Sequence, residues 1–217
     1  MTAPLDRTAV LGDDTLRGRR FAVAHTEVVD AWLAVLYDEV IGDRPGCALV
    51  ATGGHGRCEL TPGSDLDLLL LHDGRLEPDV AQRLWYPIWD TGLKLGHSVR
   101  TRAETLQLAS GDLATATALL SVRCLAGDTA AVAELGEAAR AQWAKGAKRY
   151  LVELADAVDA RHESAGEVAF ALEPDLKEGR GGLRDVQAIG WALAALPGLD
   201  IVGPDRLSEG YDVLLAT

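Results

Sequence analysis

The sequence predicts an α+β fold, with a small mixed sheet among helices and a helical domain after it. Three observations predict this. Two short apolar runs, Cys47–Thr52 and Leu66–Leu71, have the length and bounding residues of buried strands. Apolar residues recur at helical spacing before the first run and after the second. Beyond Thr101 the chain reads as helical, and from Thr129 to about His162 it is rich in Ala, Glu and Arg. A chain of 217 residues at 48% apolar content can bury one good core, or one core with a helical appendage.

The elements follow in order. Residues 1–14 are polar and are expected to form a flexible, frayed start. A helix is expected from Leu16 to Ile41, with Val28, Trp32, Val35, Leu36 and Val40 as its apolar stripe. Gly42-Asp-Arg-Pro-Gly46 ends it, and the first strand follows. After the second strand, His72-Asp-Gly-Arg75 is a turn. Val80, Leu84, Trp85 and Ile88 then mark a helix over 78–91, and Gly92–Thr101 alternates as a third strand. A helical turn or two is expected over Glu104–Ala109. Asp112 is placed to cap a helix running to Leu125 and closing at Gly127. From Thr129 to His162 the pattern allows one long helix, or two broken at Lys145-Gly146. Gly179-Arg-Gly-Gly182 is a glycine-rich turn, and a further helix covers Leu183–Leu196 ahead of Pro197-Gly198. The domains expected are 15–130 for the α+β part and 131–217 for the helical part. The apolar run Tyr211–Thr217 looks like a cut helix, so the helical part is expected to be truncated.

The chemistry gathers between the first two strands. Gly53 and Gly54 let the backbone come close to a polyphosphate, where any Cβ would collide. Asp65 and Asp67 stand two apart at the entrance of the second strand, so both project from one face roughly 7 Å apart along the chain. Two hard oxygen donors at that spacing suit Mg²⁺, which prefers carboxylates and substrate phosphates. Ser64 either hydrogen-bonds a phosphate oxygen or closes the turn. Arg57 either steadies a triphosphate as a forked donor or pairs with Glu59. Glu59 is expected to brace the turn, and His55 to face solvent.

Composition limits the alternatives. A net charge of −12 argues against a nucleic-acid groove, which needs clustered Lys and Arg. Cys47, Cys58 and Cys124 fit neither a disulfide framework nor metal-ligand spacing, which points to a reducing cytoplasm. The opening residues form no signal peptide, and no apolar stretch is long enough to span a membrane.

The stretch Gly53-Gly-His-Gly-Arg-Cys-Glu-Leu-Thr-Pro-Gly-Ser-Asp-Leu-Asp67 resembles the signature of the nucleotidyltransferase superfamily. More narrowly it resembles the bacterial PII uridylyltransferase/uridylyl-removing enzymes. Gly96-His-Ser-Val-Arg-Thr101 and Asp175-Leu-Lys-Glu-Gly-Arg-Gly-Gly-Leu-Arg-Asp185 point the same way. The resemblance covers about residues 20–200 and implies the N-terminal, nucleotide-transferring part of such an enzyme, with a polymerase-β-like core. The family continues into phosphohydrolase and sensor domains, which this chain is expected to lack.

The resemblance implies transfer of a nucleoside monophosphate from UTP, or ATP in some lineages, to a tyrosine of the PII signalling protein, with release of pyrophosphate. Asp65 and Asp67 are then catalytic and Mg²⁺-binding. Gly53, Gly54, Arg57, Ser64, Lys177, Arg180 and Arg184 would bind the nucleotide. The basic glycine loop around Lys177 and Arg184 suits phosphate through its backbone N–H groups and the following helix start, and is expected to act on the nucleotide at a cleft between the domains. The alternative is a glycine-rich turn between helices with ordinary surface bases. Asp185 is expected to anchor Lys177 or an arginine. Many superfamily members add a third carboxylate from the third strand, whereas this chain has His97-Ser98-Val99-Arg100 there. Glu104 and Asp112 lie nearby, Arg100 and Arg102 are candidate phosphate contacts, and His97 is a candidate proton acceptor. Two alternatives stay open: an enzyme like the glutamine synthetase adenylyltransferase, and a non-catalytic nucleotide-binding domain.

Overall fold

The structure, a computed structural model, describes residues 3–165, 172–173, 175–196, 198 and 203–216. It divides into two compact units, Met1–Ala139 and Arg140–Thr217.

The first unit opens with a short helical turn, α1 (Thr8–Leu11), and a long helix, α2 (Gly18–Val40). The segment read as polar and frayed therefore carries structure. Val10 is buried, Leu5 packs on the core, and Trp32 Nε1 donates to the Ala3 carbonyl at 2.8 Å. The buried face of α2 differs from the expected stripe. Ala22, His25, Thr26, Val29, Leu33, Leu36 and Tyr37 face inward, while Val35 is exposed. Polar members hid this face from a reading of apolar residues alone. Each finds a buried partner: His25 Nδ1 lies 3.2 Å from the Leu60 carbonyl, Thr26 Oγ1 donates to the Ala22 carbonyl, and Tyr37 OH donates to the Cys47 carbonyl.

The sheet follows the expected order, with one addition. β1 (Ala48–Ala51), β2 (Leu66–Leu71) and β3 (Leu95–Arg100) lie where the sequence places strands. Between them run α3 (Gly53–Gly56) and α4 (Pro78–Trp89), the latter burying Val80, Leu84, Trp85 and Ile88 as expected. After α5 (Arg102–Ala109) and α6 (Leu113–Ala118), a 3-10 turn at Leu119–Ser121 leads into β4 (Arg123–Gly127). The expected helix to Leu125 is thus corrected. Residues 123–127 pair antiparallel with the fully buried β1, and that pairing overrides the local helical reading. The described strands run in the order β3-β2-β1-β4, with β1 antiparallel to both neighbours and β2 parallel to β3. The core sits on one face of this mixed sheet, where Leu49, Leu66, Leu68 and Leu70 meet Leu33, Leu36 and Tyr37 of α2 and Leu84, Trp85 and Ile88 of α4.

α7 (Thr129–Lys145) runs through the division between the units, and α8 (Ala147–Ala165) begins after a break at Gly146. The break fits local sterics: a Cβ on Gly146 would stand 2.6 Å from the Tyr150 ring. In the second unit the Trp143 and Tyr150 rings stack at 4.4 Å, and Trp143 Nε1 donates to the Trp191 carbonyl. α9 (Leu183–Ala195) and α10 (Pro204–Ala216) complete it, tied by Gln187 Nε2 donating to Tyr211 OH at 3.1 Å. The expected stop at Pro197 lies outside the described residues.

Candidate active site

The chain leaves buried β1 through Thr52 and turns at once into α3. Gly53 has φ +57°, a left-handed conformation that glycine adopts without strain. Thr52 N donates to the Asp67 carbonyl at 3.0 Å, which fastens the turn to β2. Asp67 points its carboxylate into a slot between two glycines. Its Oδ2 lies 3.1 Å from where a Cβ on Gly53 would stand, and its Oδ1 lies 2.9 Å from where one on Gly96 would stand. Gly96 is the register partner of Asp67 on β3, so the parallel pairing builds the second wall. A side chain at either glycine would fill the cradle around the carboxylate.

Asp65 lies one residue ahead of β2 and is exposed, with Lys94 Nζ 3.9 Å from its Oδ1. The sequence reading missed Lys94. Its one signal is register, since the Lys94 carbonyl accepts from Leu66 N at the start of the β2–β3 pairing. Ser64 Oγ accepts from Thr61 N at 2.9 Å, so it closes the turn. Arg57 Nε donates to Glu59 Oε2 at 2.7 Å, and the Arg57 Nη2 stands 3.8 Å from the position of a Cβ on Gly54. Of the two roles left open for Arg57, the pairing with Glu59 is present, and it holds the guanidinium beside Gly54.

His55 corrects the expectation of a solvent-facing side chain. It is 1% exposed, and its Nε2 lies 2.8 Å from Asp30 Oδ1 on α2. Asp30 Oδ2 also accepts from Arg123 Nη1 at 2.5 Å, while Arg123 Nη2 and Nε donate to the carbonyls of His55 and Gly56. Burial pushes the Asp30 carboxyl up, but the hydrogen bonds from His55 and Arg123 outweigh it and hold the group below its ordinary value. His55 Nδ1 is buried without a hydrogen-bond partner, an orphan that costs about 1–3 kcal/mol. Behind the turn, a Cβ on Gly56 would stand 1.7 Å from the Ser121 carbonyl oxygen. No substitution fits there.

The two carboxylates suit a hard divalent cation. Among the described residues no group of three His, Cys, Asp or Glu side chains could hold a metal, so a bound Mg²⁺ would draw its other ligands from substrate and water, as such sites commonly do. The acids considered for a third ligand are engaged elsewhere. Glu104 closes a capping box with Thr101, and Asp112 caps α6 by accepting from Thr115 N. Arg102 pairs with Glu134. His97 is paired with Leu68 in register, on the face opposite Asp67, and meets the rings of Trp85 and Trp89 at 5.1 and 5.4 Å. This register removes it as a proton acceptor beside Asp67.

Lys177, Arg180 and Arg184 lie together in the second unit, on a loop that braces itself. Asp175 Oδ1 accepts from Lys177 N and Glu178 N, and Asp185 Oδ2 accepts from Gly181 N at 2.7 Å. Gly179 N, Gly182 N, Leu183 N, Arg184 N and Asp185 N all bond to backbone carbonyls of the same segment. The amides expected to cradle phosphate are therefore mostly engaged, and a phosphate contact from this loop would fall to side chains. Asp185 anchors an arginine, as expected: its Oδ1 accepts from Arg161 Nη2 at 2.5 Å, and His162 Nε2 lies 2.8 Å away. Arg180 Nε donates to His162 Nδ1 at 3.3 Å. An arginine only donates, so Nδ1 is the acceptor and Nε2 carries the proton shared with Asp185. Arg184 contacts Glu178 and Gln187, while Lys177 is exposed.

An aspartate slotted between glycines, with a second at the strand mouth of a small mixed sheet, is consistent with a nucleotidyltransferase-like α+β domain. Residues 149–209 match the family model described as GlnD PII-uridylyltransferase, a span within the second unit that includes the Asp175–Asp185 loop. The chain is 51% identical over 174 residues to the bifunctional uridylyltransferase/uridylyl-removing enzyme of Streptomyces coelicolor, covering 79% of this chain and 21% of that protein. It is 46% identical over 187 residues to the enzyme so named in Mycobacterium tuberculosis, with 83% and 23% covered. Against that of Erythrobacter litoralis it is 36% identical over 188 residues, with 80% and 20% covered. These findings show the resemblance carried by the motifs: the chain holds a GlnD PII-uridylyltransferase family domain, and its curated relatives are named as uridylyltransferase enzymes. The chain spans about a fifth of the length of those relatives. No helix among the described residues is long and apolar enough to cross a membrane.

Proposed function

We propose that this chain carries the nucleotide-transferring site of a PII uridylyltransferase-type enzyme. The observation that carries the reading is the Asp67 carboxylate seated between Gly53 and Gly96, with Asp65 at the mouth of the same strand. The names of the curated relatives favour a uridylyl over an adenylyl group. The acceptor is a tyrosine hydroxyl of the PII protein, and the donor is UTP, with ATP as the alternative. The hydroxyl oxygen bonds to the α-phosphorus as the bond to the β-phosphate oxygen breaks. Pyrophosphate leaves, and the hydroxyl proton passes to solvent.

Asp65 and Asp67 would hold Mg²⁺, which when bound offsets the growing charge on the leaving phosphates and lowers the pKa of a coordinated hydroxyl. Gly53 and Gly54 admit the triphosphate close to the backbone. Arg57, steadied by Glu59, is placed beside Gly54 to meet a phosphate oxygen, and Ser64 shapes the turn before the carboxylates. Lys177, Arg180 and Arg184 are assigned to the nucleotide through their side chains.

The test incubates this chain with Mg²⁺, PII and α-labelled UTP or ATP in parallel. Label on PII, lost on removing Mg²⁺ with a chelator, is the expected result. Nucleotide binding without label on PII or pyrophosphate release would favour a non-catalytic nucleotide-binding domain. Label on glutamine synthetase instead of PII would favour the adenylyltransferase reading.

A further inference from the structure

We propose that Asp30, His55 and Arg123 are positioning residues for the nucleotide, holding the Gly53–Gly56 turn against the Asp67 carboxylate. The inference rests on the reading of Gly53 and Asp67 as a nucleotide seat. Three elements distant in sequence converge behind the turn: α2 brings Asp30, α3 brings His55, and β4 brings Arg123. Arg123 grips two successive carbonyls, reaching the His55 oxygen at 3.0 Å and the Gly56 oxygen at 3.3 Å. Its third contact, to Asp30 Oδ2, fixes the guanidinium plane. Asp30 Oδ1 takes His55 Nε2, so the side chain of His55 is tied to Asp30 and its carbonyl to Arg123, and those two partners are paired with each other.

This is a costly way to close a turn. Asp30 and Arg123 side chains are 19% and 29% exposed, and desolvated ion pairs commonly stabilise less than apolar residues of similar volume. What such a network supplies is a defined position. The position matters at the other end of the turn, where Gly53 leaves only 3.1 Å between the site of a Cβ and Asp67 Oδ2. Gly56 against Ser121 leaves the turn no room to move backward. If the ties were loosened, the turn would shift toward the carboxylate and narrow the space for a phosphate. His55 has one anchor, since Nδ1 lacks a partner, so the ring depends on Asp30 for its orientation.

The test measures dissociation constants of Mg-UTP and Mg-ATP by calorimetry, with each variant held well below its own melting temperature. Arg123→Lys keeps a cation for Asp30 but loses the fork to two carbonyls. His55→Leu removes the donor to Asp30, and His55→Gln restores a donor near the place of Nε2. Arg123→Lys and His55→Leu should weaken binding about tenfold or more, the range in which groups that orient a site act. His55→Gln should recover most of it at a melting temperature no higher than that of His55→Leu. That rescue would separate positioning from simple stability. A parent chain that binds, with both variants binding equally well, overturns the inference and leaves the nucleotide seat intact. A parent chain whose binding is absent, or unaffected by Asp67→Asn, overturns the seat and this inference with it.

Discussion

At Gly53–Gly56 the backbone is tied from behind by side chains of other elements, whereas at Gly179–Gly182 the ties come from within the loop. Arg123 and Asp30 reach the first turn from β4 and α2. Asp175 and Asp185 satisfy the second from its own two ends. The consequence is chemical. The first turn presents carboxylates, Asp67 in its slot and Asp65 at the strand mouth. The second places its own carboxylate, Asp185, on the Gly181 amide where an external anion would otherwise bind. Glycines interleaved with bases look alike in sequence. What separates an anion seat from a self-closed loop is where the neighbouring acids point.

If the first turn is the reacting site, its largest sensitivity lies at Asp67. Asp67→Asn should lower transfer of label to PII by about a thousandfold or more, because several kcal/mol of charge stabilisation go with the carboxylate. Circular dichroism should remain that of the parent. Near-normal turnover in a folded Asp67→Asn chain would remove the main contrast between the two regions.

The walls of the slot come next. Gly53→Val combines a left-handed φ with a clash at 3.1 Å on Asp67 Oδ2, while a Cβ on Gly54 meets only Arg57 Nη2 at 3.8 Å. Gly53→Val should therefore cost on the order of a hundredfold in nucleotide affinity or turnover, with Gly54→Val costing less. Titration with Mg-UTP checks the order. Equal effects at the two positions would mean the backbone strain of Gly53 and its wall on Asp67 do not matter.

These two predictions rest on features of unequal legibility. The strands β1 to β3 and the helix α4 were readable because periodicity acts locally, and the break at Gly146 was one of two readings that the pattern allowed. The carboxylate pair was readable for the same reason. β4 was not, since residues 123–127 become a strand only through pairing with β1. Without β4 there is no Arg123 behind the turn, so the partner of His55 was hidden along with it. The buried face of α2 escaped because His25, Thr26 and Tyr37 are polar by residue type and buried by hydrogen bonding. Gly96 was legible only as the start of the Gly96–Thr101 motif, and register alone reveals it as a wall of the Asp67 slot.

The second region should answer to acid before it answers to nucleotide. Burial raises the Asp185 carboxyl, but Arg161, the Gly181 amide and His162 outweigh it and leave it below its ordinary value. A depressed carboxyl contributes stability that is present above the unfolded pKa, about 3.9, and is lost as pH falls through the folded pKa. Asp185→Asn should destabilise the chain by about 2 kcal/mol at neutral pH, the scale of hydrogen bonds to a charged group. It should also flatten the acid limb of the melting curve below about pH 4. An unchanged acid limb would mean that Asp185 does not brace the loop.

The smallest expected effect is on the bases of that loop. Arg184 is already occupied by Glu178 and Gln187, Arg180 by His162, and the surrounding amides by Asp175, Asp185 and backbone carbonyls. What remains for a polyphosphate is mainly local positive potential in an acidic chain, with Lys177 exposed. Lys177→Ala with Arg184→Ala should weaken Mg-UTP binding by about threefold to tenfold, since exposed charge contacts are worth about 1 kcal/mol. Arg19→Ala and Arg20→Ala on α2 serve as charge-matched controls and should change binding less than twofold by the same reasoning about screened surface charge. The effect of the double variant should also shrink as salt rises, which a purely structural loss would not do. If it binds as the parent does at low salt, the loop is a self-closed brace, and the nucleotide site is built by the first turn without it.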